Sequence, residues 1–215
     1  MSHLFREVDE EVRRDRVVQL WRRYWKYVLA GALLALLVAG AVVGWQEYRE
    51  AQLRADGERF SHALSELEAG QAAAAADSFA LLASEGTAGY AVLAQLREAE
   101  ALVQAGDGEA AVIVYDRLAA DGGADDVYRE LAALYAAELR IDKAPLDEIE
   151  RRLAPLAASG SPWRFLAQEL LAVANLRAGR SETAREALAG LAQDPELPLG
   201  SRRRVNEMLA ALGGP

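Results

Sequence analysis

The stretch YAVLAQLREAEALVQAG, residues 90–106, returns 73 residues later as WRFLAQELLAVANLRAG, residues 163–179. Extended to Asp121 and Asp194, the two copies are identical at 12 of 32 ungapped positions. A chain that writes one apolar phrase twice is building two copies of one supersecondary unit. Units of this size cannot bury their apolar faces alone, so they stack on one another.

Each copy reads as an apolar helix that ends in glycine, a two-residue turn, and a second helix. After Gly106 come Ala111, Tyr115 and Leu118, and after Gly179 come Ala184, Leu188 and Leu191. Offsets of 5, 9 and 12 from the glycine put all three side chains on one face of a 3.6-period helix. Glycine suits the left-handed residue that closes a helix. Gly108 and Ser181 then stand where the next helix takes its N-cap.

The same template finds two further copies. Gly70 is followed by Ala75, Phe79 and Leu82, and Ala144 by Ile149, Leu153 and Leu156. The anchors at 70, 106, 144 and 179 are nearly evenly spaced. Pro155 falls inside the second helix of the third copy and should end or kink it. The segment GSRRRVNEMLAALGG, from Gly200, supplies a closing helix, and QAAAAADSF, from Gln71, is a helix-favouring run.

Ahead of the array lies VLAGALLALLVAGAVVGW, opening at Val28 and closing at Trp45, without one charged residue. As a helix it spans about 27 Å, close to the ~30 Å hydrocarbon core of a bilayer. Trp21, Tyr24, Trp25 and Tyr27 flank one end, and Trp45 and Tyr48 the other. Amphipathic rings collect at headgroup depth, so the pattern is a membrane span with an aromatic belt at each end. A cleavage site at Ala39-Gly40-Ala41 is disfavoured, because the 27-residue head carries five acids, unlike a short basic leader.

Charge sets the expected direction. Residues 12–27 hold six Lys/Arg and residues 46–60 hold three. The richer side stays cytoplasmic. The expected organisation is a charged helical head over 1–27, a span over 28–45 and a body over 46–215 outside the cytoplasm, periplasmic in a bacterium. Within the head, Asp9 precedes Arg13 and Glu10 precedes Arg14 by one turn, as in a short charged helix. Gly40 and Gly44 are either a helix-pairing face that makes a homodimer or plain lipid-facing composition.

The chain's formal charge is −9, and residues 46–215 carry −11 of it after the +2 of the head. An acidic body argues against nucleic-acid backbone binding. With no cysteine and only His3 and His62, on opposite sides of the span, there is no disulfide, no thiolate metal site and no histidine pair. No phosphate-cradling loop, zinc-protease pair or nucleophile elbow is present, so no catalytic, cofactor or metal residues are expected and no small-molecule substrate. Asp125-Asp126 and Asp147-Glu148 sit where acids favour the start of a helix. Arg202 to Arg204 reads as a solvated basic run.

A period near 36, two helices per unit and small, aromatic and apolar residues at fixed offsets resemble the tetratricopeptide repeat. Ala99 and Ala172 stand where two helices must approach closely. With its opening FREVDEEVRRDR and its span, the whole chain resembles a bacterial family of membrane-anchored tetratricopeptide-like proteins that includes the ancillary subunit of the Sec translocon. The expectation is an all-α chain: one N-terminal transmembrane helix, about four helix pairs and a capping helix. The resemblance implies an inner-membrane scaffold beside the translocon that contacts a membrane-anchored periplasmic chaperone. The alternative is an adaptor in cell-envelope maintenance, serving cell division or outer-membrane assembly. In such an array the first helices line the concave face. The expected protein-binding residues are therefore Leu96, Glu100 and Val103 in copy two and Glu169, Val173 and Leu176 in copy four.

Overall fold

A computed structural model describes residues 4–158 and 160–213, with side chains from Trp21 onward except those of Val28 and Ala32. His3 and the head's paired side chains at Asp9, Glu10, Arg13 and Arg14 lie outside what is described. The described residues form helices and turns, with no strand among them. In chain order the helices are α1 (Leu4–Glu68), α2 (Ala72–Glu85), α3 (Ala88–Gln104), α4 (Gly108–Ala119) and α5 (Asp126–Arg140), then α6 (Leu146–Leu153), α7 (Arg164–Arg177), α8 (Ser181–Gln193) and α9 (Leu199–Ala211). Two compact units divide the chain between Arg54 and Ala55.

In the first unit α1 carries the apolar run. Among the described residues, one helix is long and apolar enough to cross a membrane, and none of its most apolar window is buried. The rings of Trp21, Tyr24, Trp25, Tyr27, Trp45 and Tyr48 are all exposed. A β-carbon added at Gly40 or Gly44 would meet no neighbouring atom.

The second unit is the array. The end of α1 packs on α2 through Ala63 and Leu67, α3 pairs with α4, α5 with α6 and α7 with α8, and α9 closes the stack. All twelve positions at offsets 5, 9 and 12 are buried, from Ala75, Phe79 and Leu82 to Ala184, Leu188 and Leu191. Ala99 and Ala172 are buried too, where a larger side chain would hold the helices apart. The cores form four successive clusters rather than one, as stacking of short units requires.

Three of the turns between paired helices are the same turn. Gly70, Gly106 and Gly179 have φ of 78°, 88° and 76°. In each, the glycine N–H donates to the carbonyl three residues back and the next N–H to the carbonyl five back, as in Asp107 to Leu102 at 2.9 Å. Only a residue without a β-carbon enters this conformation freely. The third copy has Ala144 at that place and closes through a longer turn, with the Lys143 and Ala144 N–H groups donating to the Arg140 carbonyl. Its second helix, α6, stops at Leu153, two residues before Pro155, and Leu156 is buried from the turn that follows.

Two details differ from expectation. The N-caps of α4 and α8 are Asp107 and Arg180, and Gly108 and Ser181 are the first helical residues. Asp107 explains the shift in α4, since its carboxylate accepts from the Ala110 N–H at 3.0 Å, which a glycine cannot do. Arg202 to Arg204 is not a solvated run. Arg202 donates to the carbonyls of Ala192, Asp194 and Leu197, satisfying the open end of α8. Arg204 grips Glu169 with two hydrogen bonds, and only Arg203 points into water.

Polar contacts join neighbouring copies. Lys143 pairs with Glu109, Arg152 with Asp116, Arg177 with Asp142 and Arg204 with Glu169, each about one repeat apart in sequence. Asp56 near the end of α1 is buried and accepts from the Thr87 N–H at 2.8 Å, so one unit caps the first helix of the next.

Glu98, on the face of α3 that also buries Ala94 and Ala101, is 9% exposed. Burial pushes its carboxyl above the ordinary value, with the Arg117 charge acting in the opposite sense. The folded chain therefore holds that proton more tightly than the unfolded chain. Glu98 costs stability above its folded-state pKa, and the cost is relieved as pH falls toward the unfolded value. Glu98→Gln should raise the melting temperature at pH 7 by about 1–2 °C, as expected for ~0.5 kcal/mol in a chain of this size. Thermal melts at pH 7 and pH 5 check this, and the variant's advantage should shrink at the lower pH.

Candidate functional site

Where α3 and α5 face one another across α4, the array leaves a groove of about 480 Å³. The amphipathic periods of the two helices build its walls. α3 contributes Leu93, Leu96, Arg97 and Glu100, spaced by three and four residues along one face. α5 contributes Leu131 and Tyr135, one turn apart, and Tyr115 of α4 forms the floor.

The aromatic pair fixes the middle. Tyr115 and Tyr135 lie with ring centroids 5.4 Å apart at 40°, within the range of favourable tilted stacking. Tyr115 is buried, whereas Tyr135 is 38% exposed. Burial, reinforced by Tyr135 and by the Glu100 and Glu138 carboxylates, pushes the Tyr115 hydroxyl up to about 12, against the pull of Arg97. At neutral pH that hydroxyl is a hydrogen-bond donor rather than an anion. Arg97 pairs with Glu100 one turn along α3, and both side chains remain close to half exposed. Such a pair contributes little to stability and opens readily to a competing charge.

The expected binding residues separate into different settings. Leu96 and Glu100 line the groove, with Leu96 also packed against the core beneath. Val103 is exposed near the end of α3, where its carbonyl accepts from Gly106. In copy four the equivalent face meets α9. Glu169 is 12% exposed and accepts from Arg204 Nε at 2.7 Å and Nη2 at 2.9 Å. Val173 and Leu176 are half-buried, and the Leu176 carbonyl accepts from Gly179. The two trios share their offsets and not their surroundings.

Leu93, Arg97, Leu131 and Tyr135 were not among the expected residues. The signal for α5 was present as Val127, Leu131 and Tyr135 at steps of four, in a helix with no glycine at its end to mark the register. A second hollow, of about 420 Å³, lies between the end of α1 and α2, lined by Glu58, Arg59, His62, Ser78, Leu81 and Leu82. His62 of that lining reaches Glu66, one turn along α1, at 3.6 Å.

Residues 19–200 match the model of the tetratricopeptide repeat-like domain. The chain belongs to that family. The match takes in the apolar run of α1 as well as the helix pairs. No curated protein and no solved structure matches the chain. Tetratricopeptide repeat-like domains act through protein–protein contact, typically as scaffolds without an enzymatic role, and an open groove between first helices is the place such a fold offers to a partner.

Proposed function

We propose that this protein is a single-span scaffold of the bacterial inner membrane. Its head over 1–27 lies in the cytoplasm, and its repeat body over 46–215 binds other proteins in the periplasm. The observation that carries the reading is the uncovered apolar run from Val28 to Trp45, ringed at both ends and joined in one chain to a tetratricopeptide repeat-like array with an open groove. The asymmetry of six Lys/Arg before the run against three after it supports the direction. The partners are those of the membrane-anchored family the chain resembles: the Sec translocon and a membrane-anchored periplasmic chaperone, linked by this ancillary subunit. Pairing of two copies through the open faces of Gly40 and Gly44 belongs to the same reading.

Two measurements test it. A reporter active only in the periplasm, fused after Pro215, should be active, and its cytoplasmic counterpart silent. The reverse pattern overturns the topology. Crosslinking in intact membranes, with identification of the captured neighbours, should yield translocon subunits and a chaperone. Capture of cell-division or outer-membrane assembly proteins instead would assign the scaffold to envelope maintenance.

A further inference from the structure

The groove between α3 and α5 has a chemistry more specific than an apolar face. Its floor and one wall are the tilted rings of Tyr115 and Tyr135, of which Tyr135 is 38% exposed. Aliphatic side chains, Leu93, Leu96 and Leu131, border the rings. Glu100 lies on the rim, and Glu138, exposed one turn after Tyr135, is close enough for its charge to act on the Tyr115 hydroxyl. Arg97 is the single positive group among the lining residues, and Glu100 already holds it.

We propose that this groove binds a segment of another protein by taking up a lysine or arginine side chain over Tyr135, with aliphatic neighbours of that side chain seated on Leu93, Leu96 and Leu131. A cation over a tyrosine face is attracted by the ring's quadrupole. Glu138 and Glu100 supply the counter-charge, and the aliphatic border removes water from the long stem that carries the cation. An acidic segment would meet two carboxylates, Glu100 and Glu138, against the single cation Arg97. The volume, about 480 Å³, is enough for two or three side chains and not for a folded domain, so the occupant is an exposed stretch of chain. The body's charge of −11 steers such a segment in, and the groove holds it. This rests on the scaffold reading and specifies what the scaffold grips.

The test uses the full chain in nanodiscs of zwitterionic lipid, with empty discs subtracted, and two fluorescent peptides. One alternates Leu and Lys, and the other has Glu in place of every Lys. Anisotropy should show saturable binding of the Lys peptide and none of the Glu peptide. Tyr135→Ala and the double variant Glu100→Gln/Glu138→Gln should each weaken it at least fivefold. The double variant removes only exposed charge and keeps the side-chain shapes, so its fold is safe even where Tyr135→Ala disturbs packing. Lys-peptide binding unchanged in the double variant, or preference for the Glu peptide, overturns the proposal. These outcomes are separate from the membrane crosslinking result: native neighbours captured by a chain whose groove ignores the Lys peptide would sink the groove and leave the scaffold.

Discussion

Phe79→Ala should lower the melting temperature of the full chain by roughly 8–16 °C, the equivalent of about 4 kcal/mol. Phe79 has no exposed surface and meets the Phe60 ring edge-on at 5.4 Å. The reason for so large an effect is what surrounds it. Ala63, Ala75, Ala76, Ala94 and Ala101 make up most of the buried cluster. Alanines have no side-chain length with which to close a cavity, and bringing them together means moving whole helices. The void left by a phenyl ring therefore persists, and its cost grows with its volume. Phe79→Leu fills most of that space and should lose only ~1–1.5 kcal/mol.

The damage should also be local. A stacked array is stabilised by each unit and by its contact with the next, so a fault in one unit loosens that end first. Hydrogen exchange should quicken in α2, in the last turns of α1 and in the early turns of α3, with α7 and α8 still protected. Ile113→Ala, at an exposed position of α4, is the control. A Phe79→Ala variant no less stable than that control would mean that the end of α1 and α2 do not pack as a repeat.

How far the sequence foretold this fold depends on which residues report only on their own unit. The glycines at 70, 106 and 179 needed only local backbone geometry, and their buried partners at fixed offsets needed only helical period. Both were legible from one sequence. Ala144 broke the first of these signals, and Pro155 shortened the helix carrying the second, so the third copy was legible only as one of four helix pairs, without the register of its first helix, α5. Leu131 and Tyr135, one wall of the groove, went unread for that reason. The roles of Arg202 and Arg204 were hidden for another reason. The acceptors that tie them to other helices and turns lie from 5 to 35 residues away in sequence, and no local pattern marks an arginine as capping someone else's helix. Offsets say which face of a helix a residue occupies. What stands across from that face is decided by the neighbouring unit.

Glu169 shows the consequence, and it should also be the most sensitive exposed-looking charge in the chain. Glu169→Lys is expected to cost ~1–3 kcal/mol, because Glu169 is largely buried and loses both charge-assisted hydrogen bonds from a half-exposed partner. In the native chain its carboxylate takes two hydrogen bonds from the Arg204 guanidinium, which also donates to Ser201 Oγ at 3.0 Å. These bonds tie α7 to α9. A lysine would place an ammonium beside that guanidinium at a position only 12% exposed, where water screens the two from the Arg204 side alone. The charges would part by releasing α9, uncovering the cluster of Leu188, Leu191, Leu197 and Val205 that it helps to bury. Glu100→Lys, reversing the other half of the same expected surface, should stay within about 0.5 kcal/mol because both members of its pair are open to solvent. Arg204→Glu alone should cost less than Glu169→Lys, since residue 204 is nearly half exposed and its new carboxylate can turn into water. The decisive measurement is the double variant, Glu169→Lys with Arg204→Glu, compared with each single by urea denaturation. Recovery of half or more of the loss would establish the α7–α9 ion pair as the clasp of the array. A double variant that simply adds the two losses would place the cost in the packing around residue 169 instead.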